Sequence, residues 1–470
     1  MTPEGWEMVI GLEVHCELAT QTKLFCGCPN LFGDEPNTNV CPVCLGLPGS
    51  LPVLNEKAVE LAILLGQALH CTVERSVFAR KNYFYPDMPK DYQISQYDLP
   101  TNVDGNLDLP NGKRIGIERA HIEEDTGKST HVGGDGRIHG AEYSLVDYNR
   151  AGIPLVEIVS RPDLGSADDA NDYVRELRDI LLATNVSDAK MEEGSMRVDA
   201  NVSVRRIGDA ELGTRCEIKN LNSVRSLRNA IDYEANRQVE LITGGERVRQ
   251  ETRHWDEGAG LTRPGRSKEQ AEDYRYFPEP DLVPLEPDAE YVERIAASMP
   301  RLPSDRRARL RSLSHGAPGS VAIAVTRGLD DLAIAAIEAG GDPVRVLTHI
   351  EHNLAVDGAA HVDAAALAKL TRLELTPTQA KAVLAELVAS GGDPEAIAKA
   401  KGFEAMDASA LDASVDAALA AEPDVWAKYV AGDDKAVGRL VGSVMKATNG
   451  KADGKAVTAK LQERRAAASG

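Results

Sequence analysis

The residues from Val9 to Glu17 alternate strictly between apolar and polar side chains, and this pattern constrains the fold more than any other feature of the chain. The apolar positions share one face, which predicts a β-strand packed against a hydrophobic core. The opposite face carries two carboxylates and an imidazole, from Glu13, His15 and Glu17. That face is either a surface for metal binding or acid/base chemistry, or simply the solvated side of a half-buried strand.

Three later stretches, near residues 121–125, 197–205 and 215–220, repeat the alternation. Their outer faces carry the polar side chains His121, Glu123, Asp125, Asp199, Glu217 and Lys219. Glu124, at the end of its stretch, could turn toward either face. A solvent-exposed sheet face without a function seldom carries so many acids, histidines and lysines. The four strands are therefore predicted to form one sheet with a polar cleft.

Length and charge limit the classes of protein to be considered. At 470 residues the chain is too long for one core and predicts about two to four domains. No apolar run approaches the roughly 20 residues of a membrane span, and the start lacks the basic and apolar regions of a secretory signal, which predicts a cytoplasmic protein. The formal net charge of -20 excludes a uniformly positive surface, so nucleic acid would need a local basic region.

Four of the seven cysteines form two short pairs, Cys26-x-Cys28 and Cys41-x-x-Cys44. Each pair can supply two thiolates from one turn, and two facing turns can close a tetrahedral zinc site. With all four positions filled by cysteine, the site would be structural and not catalytic. The alternative is a set of reduced, buried thiols. Because a cytoplasmic location is predicted, disulfides are not expected.

An aromatic-rich stretch follows between residues 80 and 97. Five aromatic side chains occur there, although aromatic residues make up only 4% of the chain. Stacking on a base or ribose, with Lys81 beside a phosphate, is one interpretation. A packed loop that covers the sheet is the other.

Local patterns predict three further elements. A helix is expected from Asn55 to His70, because Asn55 is a suitable N-cap before a helical apolar period. A second helix is expected from about Ser166 to Ala183. Between them, residues 145–159 predict a β-hairpin that turns at residues 149–152.

The distribution of proline, glycine and charge predicts domain boundaries. A proline-rich linker over residues 277–287 separates strand-like sequence from sequence rich in Ala, Leu and Arg with helical spacing. A second break occurs near residues 391–394. Beyond it, residues 428–465 hold nine basic and four acidic side chains, an excess opposite in sign to that of the whole chain. This stretch is either a contact for nucleic acid or a solvated helical face.

Five motifs run through the chain in order: Ile10–His15, Arg80–Asp87, Glu123–Ser129, Glu217–Ser223 and Asp273–Asp281. Together they resemble the motifs of the GatB family, the B subunits of the aspartyl/glutamyl-tRNA amidotransferases. The stretch Gly438–Ala447 resembles the tail motif of the same family.

The resemblance implies an α+β protein of three parts. A cradle domain over residues 1–290, built on a largely antiparallel sheet with flanking helices, would contain a zinc knuckle at residues 26–44. An all-α domain over residues 291–402 and a small helical, tRNA-binding tail over residues 403–470 would follow.

The resemblance also implies a reaction. Members of the family use ATP to phosphorylate the side-chain carboxylate of Glu or Asp mischarged on tRNA, and then replace the phosphate with ammonia. A carboxylate is a poor electrophile, whereas an acyl phosphate offers ammonia a good leaving group. ATP chemistry of this kind needs Mg²⁺, for which a carboxylate-rich face supplies oxygen ligands.

Residue roles follow from the motifs. The implied magnesium ligands are Glu13, His15 and Glu124. The implied catalytic residues are Lys81, Glu123, Asp199, Glu217 and Lys219. Among these, the acids Glu123 and Glu217 are second candidates for the metal. The two lysines would neutralise phosphate or the substrate carboxylate, and Asp199 would either steer ammonia or bond to a neighbouring strand. The implied tRNA-binding residues are Lys435, Arg439, Lys446 and Lys451.

Nothing in the sequence resembles a glutaminase, so ammonia must come from another chain. The family uses a separate amidase (glutaminase) subunit, joined by a channel, and a small third subunit that wraps both. Two alternatives remain: a non-catalytic tRNA-binding scaffold with a zinc knuckle, or a self-contained ATP-dependent phosphotransferase that acts on a small carboxylate. The sequence does not decide between Glu-tRNA and Asp-tRNA as substrates.

Overall fold

The computed structural model describes residues 4–133, 140–265, 274–314, 316, 318–403, 408–448, 452 and 454–469. The chain divides into two compact units, Met1–Pro303 and Ser304–Gly470. Within the described ranges, no helix is both long enough and apolar enough to cross a membrane.

The first unit is organised around β-strands. Their bounds are β1 Trp6–Glu17, β2 Thr72–Val73, β3 Val77–Asn82, β4 Tyr92–Leu99, β5 Asn102–Asp108, β6 Arg114–Glu124, β7 Lys128–Val132, β8 Tyr143–Asp147, β9 Pro154–Ser160, β10 Met196–Arg206, β11 Cys216–Leu221, β12 Thr252–Asp256, β13 Leu261–Pro264 and β14 Phe277–Pro278.

Twelve of these strands form one sheet in the order β13-β12-β11-β10-β1-β9-β6-β4-β3-β14, with β5 paired to β6 and β2 to β5. Of the pairings between described strands in this sheet, β11 with β12 is parallel and the others are antiparallel. The strands β7 and β8 form a separate antiparallel pair. The sheet is therefore largely antiparallel, as predicted.

Helices of the first unit cover the apolar face of this sheet. Their bounds are α1 Glu56–Ala68, α2 Ala167–Ala183, α3 Val224–Thr243 and α4 Ala289–Ala297. On β1, Leu12, Val14 and Cys16 are buried in the same hydrophobic cluster as the inner faces of α1, α2 and α3. Because strand side chains alternate between faces, this packing leaves the polar positions of β1 on the other side.

Two of the predicted helices are confirmed, together with the chemistry of their first turns. The Asn55 side chain accepts a hydrogen bond from the Lys57 amide at the start of α1. The Ser166 hydroxyl accepts one from the Asp169 amide at the start of α2. Each cap satisfies a backbone donor that has no partner within its helix.

The predicted hairpin over residues 145–159 is wrong. The chain does turn at residues 149–152, but β8 pairs with β7, and β9 lies between β1 and β6. The physical reason is the apolar composition of β9, whose side chains are mostly buried. A strand of that kind is best placed in the centre of a sheet, with a partner on each side.

In its described residues, the second unit contains α-helices and a short 3₁₀ turn, Ala359–His361. The helices are α5 Pro303–Ser314, α6 Pro318–Thr326, α7 Asp330–Glu338, α8 Pro343–His352, α9 Ala364–Arg372, α10 Pro377–Ser390, α11 Pro394–Ala400, α12 Ala408–Ala421, α13 Pro423–Val430, α14 Ala436–Ala447 and α15 Gly454–Ser469.

Two hydrophobic clusters lie within the second unit. One draws its buried residues from Leu310 to Ala398, and the other from Leu411 to Leu461. A mixed sheet with helices in one unit and helices in the other confirms the predicted α+β class. The division into three domains with limits at residues 290 and 402 stays a prediction.

Candidate active site

The polar face of β1 is shared with its two neighbouring strands. Across from β1, Asp199 of β10 is in register with Glu13, and Glu157 of β9 is in register with His15. On the far side of β9, His121 of β6 is in register with Glu157. Directly opposed residues on paired strands project from the same face, so the register gathers these acids and imidazoles on one surface.

One cluster on this surface, the histidine group, consists of His15, Glu123 and Glu157. His15 Nε2 lies 3.5 Å from Glu123 Oε1 and 3.7 Å from Glu157 Oε2. Each residue offers one ligand atom, and these atoms lie within 4.8 Å of one another. Glu157 Oε2 also lies 3.2 Å from Nε2 of His121. An imidazole nitrogen and two carboxylates at this spacing can hold a divalent cation.

The pKa values of the two acids of the histidine group are shifted in opposite directions. Burial, followed by the charge of Glu157, raises the pKa of Glu123 to about 8, although Lys81 opposes this. Burial also raises the pKa of Glu157, but the neighbouring His121 and His15 outweigh it, so that pKa lies below its usual range. Two close carboxylates that cannot both ionise freely are an arrangement that a bound cation would relieve.

A second cluster, the carboxylate group, consists of Glu13, Asp199 and Glu217, again with ligand atoms within 4.8 Å of one another. Lys219 Nζ lies within it, 2.5 Å from Asp199 Oδ2 and 3.5 Å from Glu217 Oε1. Although burial lowers the pKa of Lys219, the charge of Asp199 outweighs it and the pKa lies above its usual value. Asn201 Nδ2 donates to Glu13 Oε1 at 2.9 Å. Four predicted residues are thus brought together here.

Glu124 is not brought together with Glu13 and His15, the other predicted magnesium ligands. Its carboxylate accepts hydrogen bonds from Lys90 Nζ at 2.5 and 2.7 Å and from the Ile94 amide at 2.8 Å. Successive side chains of a strand project to opposite faces, so Glu123 faces His15 and its neighbour Glu124 faces away. Glu13 itself belongs to a different cluster from His15. The predicted three-residue ligand set is therefore divided among three places.

The aromatic stretch places the positively charged side chain of Lys81 beside the site. Lys81 Nζ lies 4.7 Å from the centre of the Tyr274 ring, and its charge lowers the pKa of Glu123. Nearby, Tyr97 and Tyr276 stack with ring centres 5.3 Å apart. Burial, followed by the charges of Glu123 and Glu157, raises the pKa of Tyr276 above its usual range. The ring of Tyr276 therefore lies within the electrostatic reach of the histidine group.

Two residues of the site were missed by sequence reasoning. Glu157 is the one charged side chain in the apolar stretch Pro154–Ser160, and a lone acid in a buried strand is a signal that could have identified it. Arg197 opposes His15 across β1 and β10, and its Nη2 lies 2.9 Å from Asp125 Oδ2. The alternation of residues 197–205 placed Arg197 on the polar face, but its position beside Glu123 depends on strand register.

The four predicted zinc ligands are brought together. The thiol sulfurs of Cys26, Cys28, Cys41 and Cys44 lie within 4.8 Å of one another, and all seven cysteines are free thiols. The hydrogen bond from Cys26 holds the pKa of Cys44 at about 5, well below its usual value. The side chain of Lys23 is buried and adds a nearby positive charge. Four sulfurs at this spacing, one of them favoured as a thiolate, fit a zinc ion.

The predicted tRNA-binding residues of the tail are exposed where they are described. Lys435, Arg439 and Lys446 lie at the start of α14 or within it, whereas Lys451 lies outside the described residues. Arg439 forms an ion pair of 2.7 Å with Glu422. Other basic residues of the stretch pair with acids of α12, namely Lys460 with Asp412 and Arg464 with Asp412 and Asp416. The local positive excess is thus partly neutralised by a neighbouring helix.

Comparison with protein families identifies the class of the first unit. Residues 8–293 match the family model described as the GatB/GatE catalytic domain, which covers the sheet and both acidic clusters. Residues 351–464 match a second family model, described as the GatB domain.

Curated relatives resemble almost the whole chain. Proteins from Nocardia farcinica, Frankia casuarinae and Thermobifida fusca are 51%, 52% and 49% identical to it. The matches cover 95%, 98% and 96% of this chain and 94%, 95% and 92% of the relatives, respectively. Each relative is named as the B subunit of an aspartyl/glutamyl-tRNA(Asn/Gln) amidotransferase. The chain belongs to this GatB family, and the resemblance inferred from its motifs is confirmed.

Proposed function

We propose that the chain is the kinase and transamidase subunit of a tRNA-dependent amidotransferase, working in the cytoplasm. Its substrate would be Glu-tRNA(Gln), Asp-tRNA(Asn) or both. Ammonia would be delivered by a separate amidase (glutaminase) subunit, which a small third subunit holds in place. The observation that carries the proposal is the pair of acidic clusters on one sheet face, each built from strands distant in sequence.

The donor atoms of both clusters fit hard divalent cations. Carboxylate oxygens, with one imidazole nitrogen in the histidine group, are ligands that Mg²⁺ accepts. We therefore assign magnesium binding to His15, Glu123 and Glu157, and a second cation to Glu13, Asp199 and Glu217. When bound, Mg²⁺ would neutralise the charge of the ATP phosphates during transfer.

In the first step an oxygen of the substrate side-chain carboxylate would attack the γ-phosphorus of ATP. The bond from phosphorus to the bridging oxygen breaks, ADP leaves, and an acyl phosphate forms. Lys81 and Arg197 support this step, because each lies close enough to Glu123 for its charge to lower the pKa of that acid. Preorganised cations that face the site of charge transfer stabilise the transition state.

In the second step the nitrogen of ammonia would attack the acyl carbon, and inorganic phosphate would leave as the amide forms. Asp199 is the proposed residue for steering ammonia, and its ion pair with Lys219 fixes its carboxylate within the carboxylate group. The acyl phosphate must be kept from water, which a partner-enclosed cleft would achieve. The four cysteines would bind structural zinc, and Lys435, Arg439 and Lys446 of the tail would contact tRNA.

The experiment that tests the proposal uses the chain assembled with its amidase and small subunits. Glu13→Gln and His15→Ala should each abolish ATP hydrolysis that depends on mischarged tRNA, and should abolish Gln-tRNA or Asn-tRNA formation. The glutaminase activity of the partner should survive, since that active site lies on another chain. Glu7→Gln is the matched control, because Glu7 occupies the same face of β1 but pairs with Arg205 at 2.6 Å.

Each alternative predicts a different result. A non-catalytic scaffold would give no tRNA-dependent ATP hydrolysis even with the unsubstituted chain. A phosphotransferase for a small carboxylate would hydrolyse ATP with that carboxylate and without tRNA. Full activity of both variants at ordinary Mg²⁺ would show that the ATP site does not lie on this face of the sheet.

A further inference from the structure

One imidazole beside the histidine group has no assigned role. His121 lies on β6, and its side chain has no exposed surface. Its Nε2 atom lies 3.2 Å from Glu157 Oε2, but neither ring nitrogen meets the geometry of a hydrogen bond with any described residue. The Nε2 contact lies off the direction of an ideal hydrogen bond. Contacts of this kind in a ligand-free site commonly tighten when the ligand binds.

Strand register places His121 beside Glu157. His15, Glu157 and His121 form a row across β1, β9 and β6, so Glu157 has an imidazole on each side. The two imidazoles differ in access, because the side chain of His15 is 21% exposed and that of His121 is 0% exposed. His15 can therefore face a ligand in the cleft, whereas His121 can act on the cleft only through Glu157.

Chemistry favours a donor role for the buried nitrogen. Burying a polar ring without a hydrogen bond costs free energy. The contact of Nε2 with Glu157 therefore favours the tautomer in which Nε2 carries the hydrogen. If Nε2 carries it, the ring donates to Glu157, and Nδ1 is left as a bare acceptor. The opposite tautomer would place the Nε2 lone pair against a carboxylate oxygen.

We propose that His121 is a positioning residue for the cation site, donating its Nε2–H to Glu157 and fixing which oxygen of that carboxylate faces His15 and Glu123. The inference rests on the proposed function, since it assumes that the histidine group binds a divalent cation. Removing a residue that orients a metal-binding side chain typically weakens metal binding by about 10- to 100-fold.

The test compares two substitutions that keep a polar side chain at the position. In His121→Gln the amide nitrogen can reach the place of Nε2 and can still donate to Glu157. In His121→Asn the amide is shorter and substitutes for Nδ1 only. The full chain is titrated with Mn²⁺ alone and followed by electron paramagnetic resonance, and the melting temperature of the metal-free chain is measured in parallel.

Two further variants complete the design. His15→Ala shows which Mn²⁺ binding step belongs to the histidine group, because the carboxylate group supplies a second set of ligands. His349→Asn serves as the control for the loss of a buried histidine. His349 lies on α8 in the second unit, where its Nδ1 contacts Asn353 and no acidic cluster is present among the described residues.

The expected result is a 10- to 100-fold weaker binding step in His121→Asn, with most of the affinity retained in His121→Gln and all of it in His349→Asn. A loss in His15→Ala with unchanged affinity in both His121 variants would overturn the role of His121 alone. Equal Mn²⁺ binding by the unsubstituted chain and His15→Ala would overturn the cation site itself and the inference with it. Equal loss of melting temperature in both His121 variants, without a change in affinity, would show a packing role only.

Discussion

Glu123 and Glu124 are adjacent in β6, yet their carboxylates serve opposite sides of the sheet. Glu123 Oε1 lies 3.5 Å from His15 Nε2 on the polar face, whereas Glu124 is paired with Lys90 and has 2% of its side chain exposed. The two acids are the same residue type and are neighbours in the sequence. We therefore expect substitution of Glu123 to affect catalysis and substitution of Glu124 to affect stability.

Glu157 is expected to be as important to activity as His15. In the assembled enzyme, Glu157→Gln should lower tRNA-dependent ATP hydrolysis by at least about 100-fold, because it removes a charged ligand shared by two imidazoles. Any residual activity should need a higher Mg²⁺ concentration. Measuring kcat/KM across a Mg²⁺ series checks this, and ordinary activity at ordinary Mg²⁺ would contradict it.

Glu124→Gln should act on stability. The Lys90 and Glu124 side chains are only 7% and 2% exposed, so removing one charge leaves the other buried without compensation. Losses of about 3–5 kcal/mol in the free energy of unfolding are typical of such a change. Urea unfolding of the full chain measures it. The double variant Lys90→Met/Glu124→Leu should lose less than Glu124→Gln, and a loss below about 1 kcal/mol in the single variant would argue that the pair is solvated.

Zinc should be released from the protein on denaturation, in an amount of about one ion per chain. Cys41→Ser should lower the melting temperature and the zinc content together, because it removes one of four ligands. The partly buried Cys41 contrasts with Cys71, a buried thiol outside the group, whose substitution by Ala should leave zinc content unchanged. If the protein releases no zinc and Cys41→Ser has unchanged stability, the four cysteines are reduced thiols and not zinc ligands.

The tail should bind tRNA through basic residues that the fold leaves available. Lys435→Gln combined with Lys446→Gln should raise the KM for tRNA several-fold and flatten its dependence on salt, by roughly one unit of slope for each phosphate that is no longer bound. Arg464→Gln is the matched control, because Arg464 already pairs with Asp416 at 2.9 Å. An unchanged KM in the double variant would favour a solvated helical face.

His349 should make the second unit sensitive to acid. Burial, followed by the charge of Arg345, lowers the pKa of His349 to about 4. Between pH 6.5 and 4 the unfolded chain therefore binds a proton that the folded chain does not, and the stability falls as the pH falls, by as much as about 3 kcal/mol. Denaturation at several pH values measures this slope.

A neighbouring histidine provides the control for that experiment. His352 lies on the same helix and its side chain is 64% exposed. His349→Gln should flatten the pH dependence over this window, and His352→Gln should not change it. Equal slopes in all three proteins would show that the acid sensitivity arises elsewhere.

Several features of the protein could be predicted because their causes are local. Alternation along β1 identified which side chains lie in the core, since successive residues of any strand project to opposite faces. The side chains of Asn55 and Ser166 predicted where α1 and α2 begin, because capping needs only the next few residues. The spacing of the cysteines predicted that four thiols would meet.

Tertiary structure decided the rest, because strand order and register depend on pairings between distant parts of the chain. Alternation placed Glu13 and His15 on one face, but only the positions of β9 and β10 beside β1 assigned His15 to Glu157 and Glu13 to Asp199. The burial of apolar β9 between β1 and β6 overrode the local turn that predicted a hairpin.

The tail shows the same limit in its charges. The count of charged side chains predicted that residues 428–465 form a basic segment. In the structure, the packing of α15 against α12 pairs Arg464 with Asp416. Charge composition is fixed by the sequence alone, whereas the field at a surface depends on which charges lie next to one another. Sequence therefore determined which residue types were available on each face, and long-range packing determined which of them form a site.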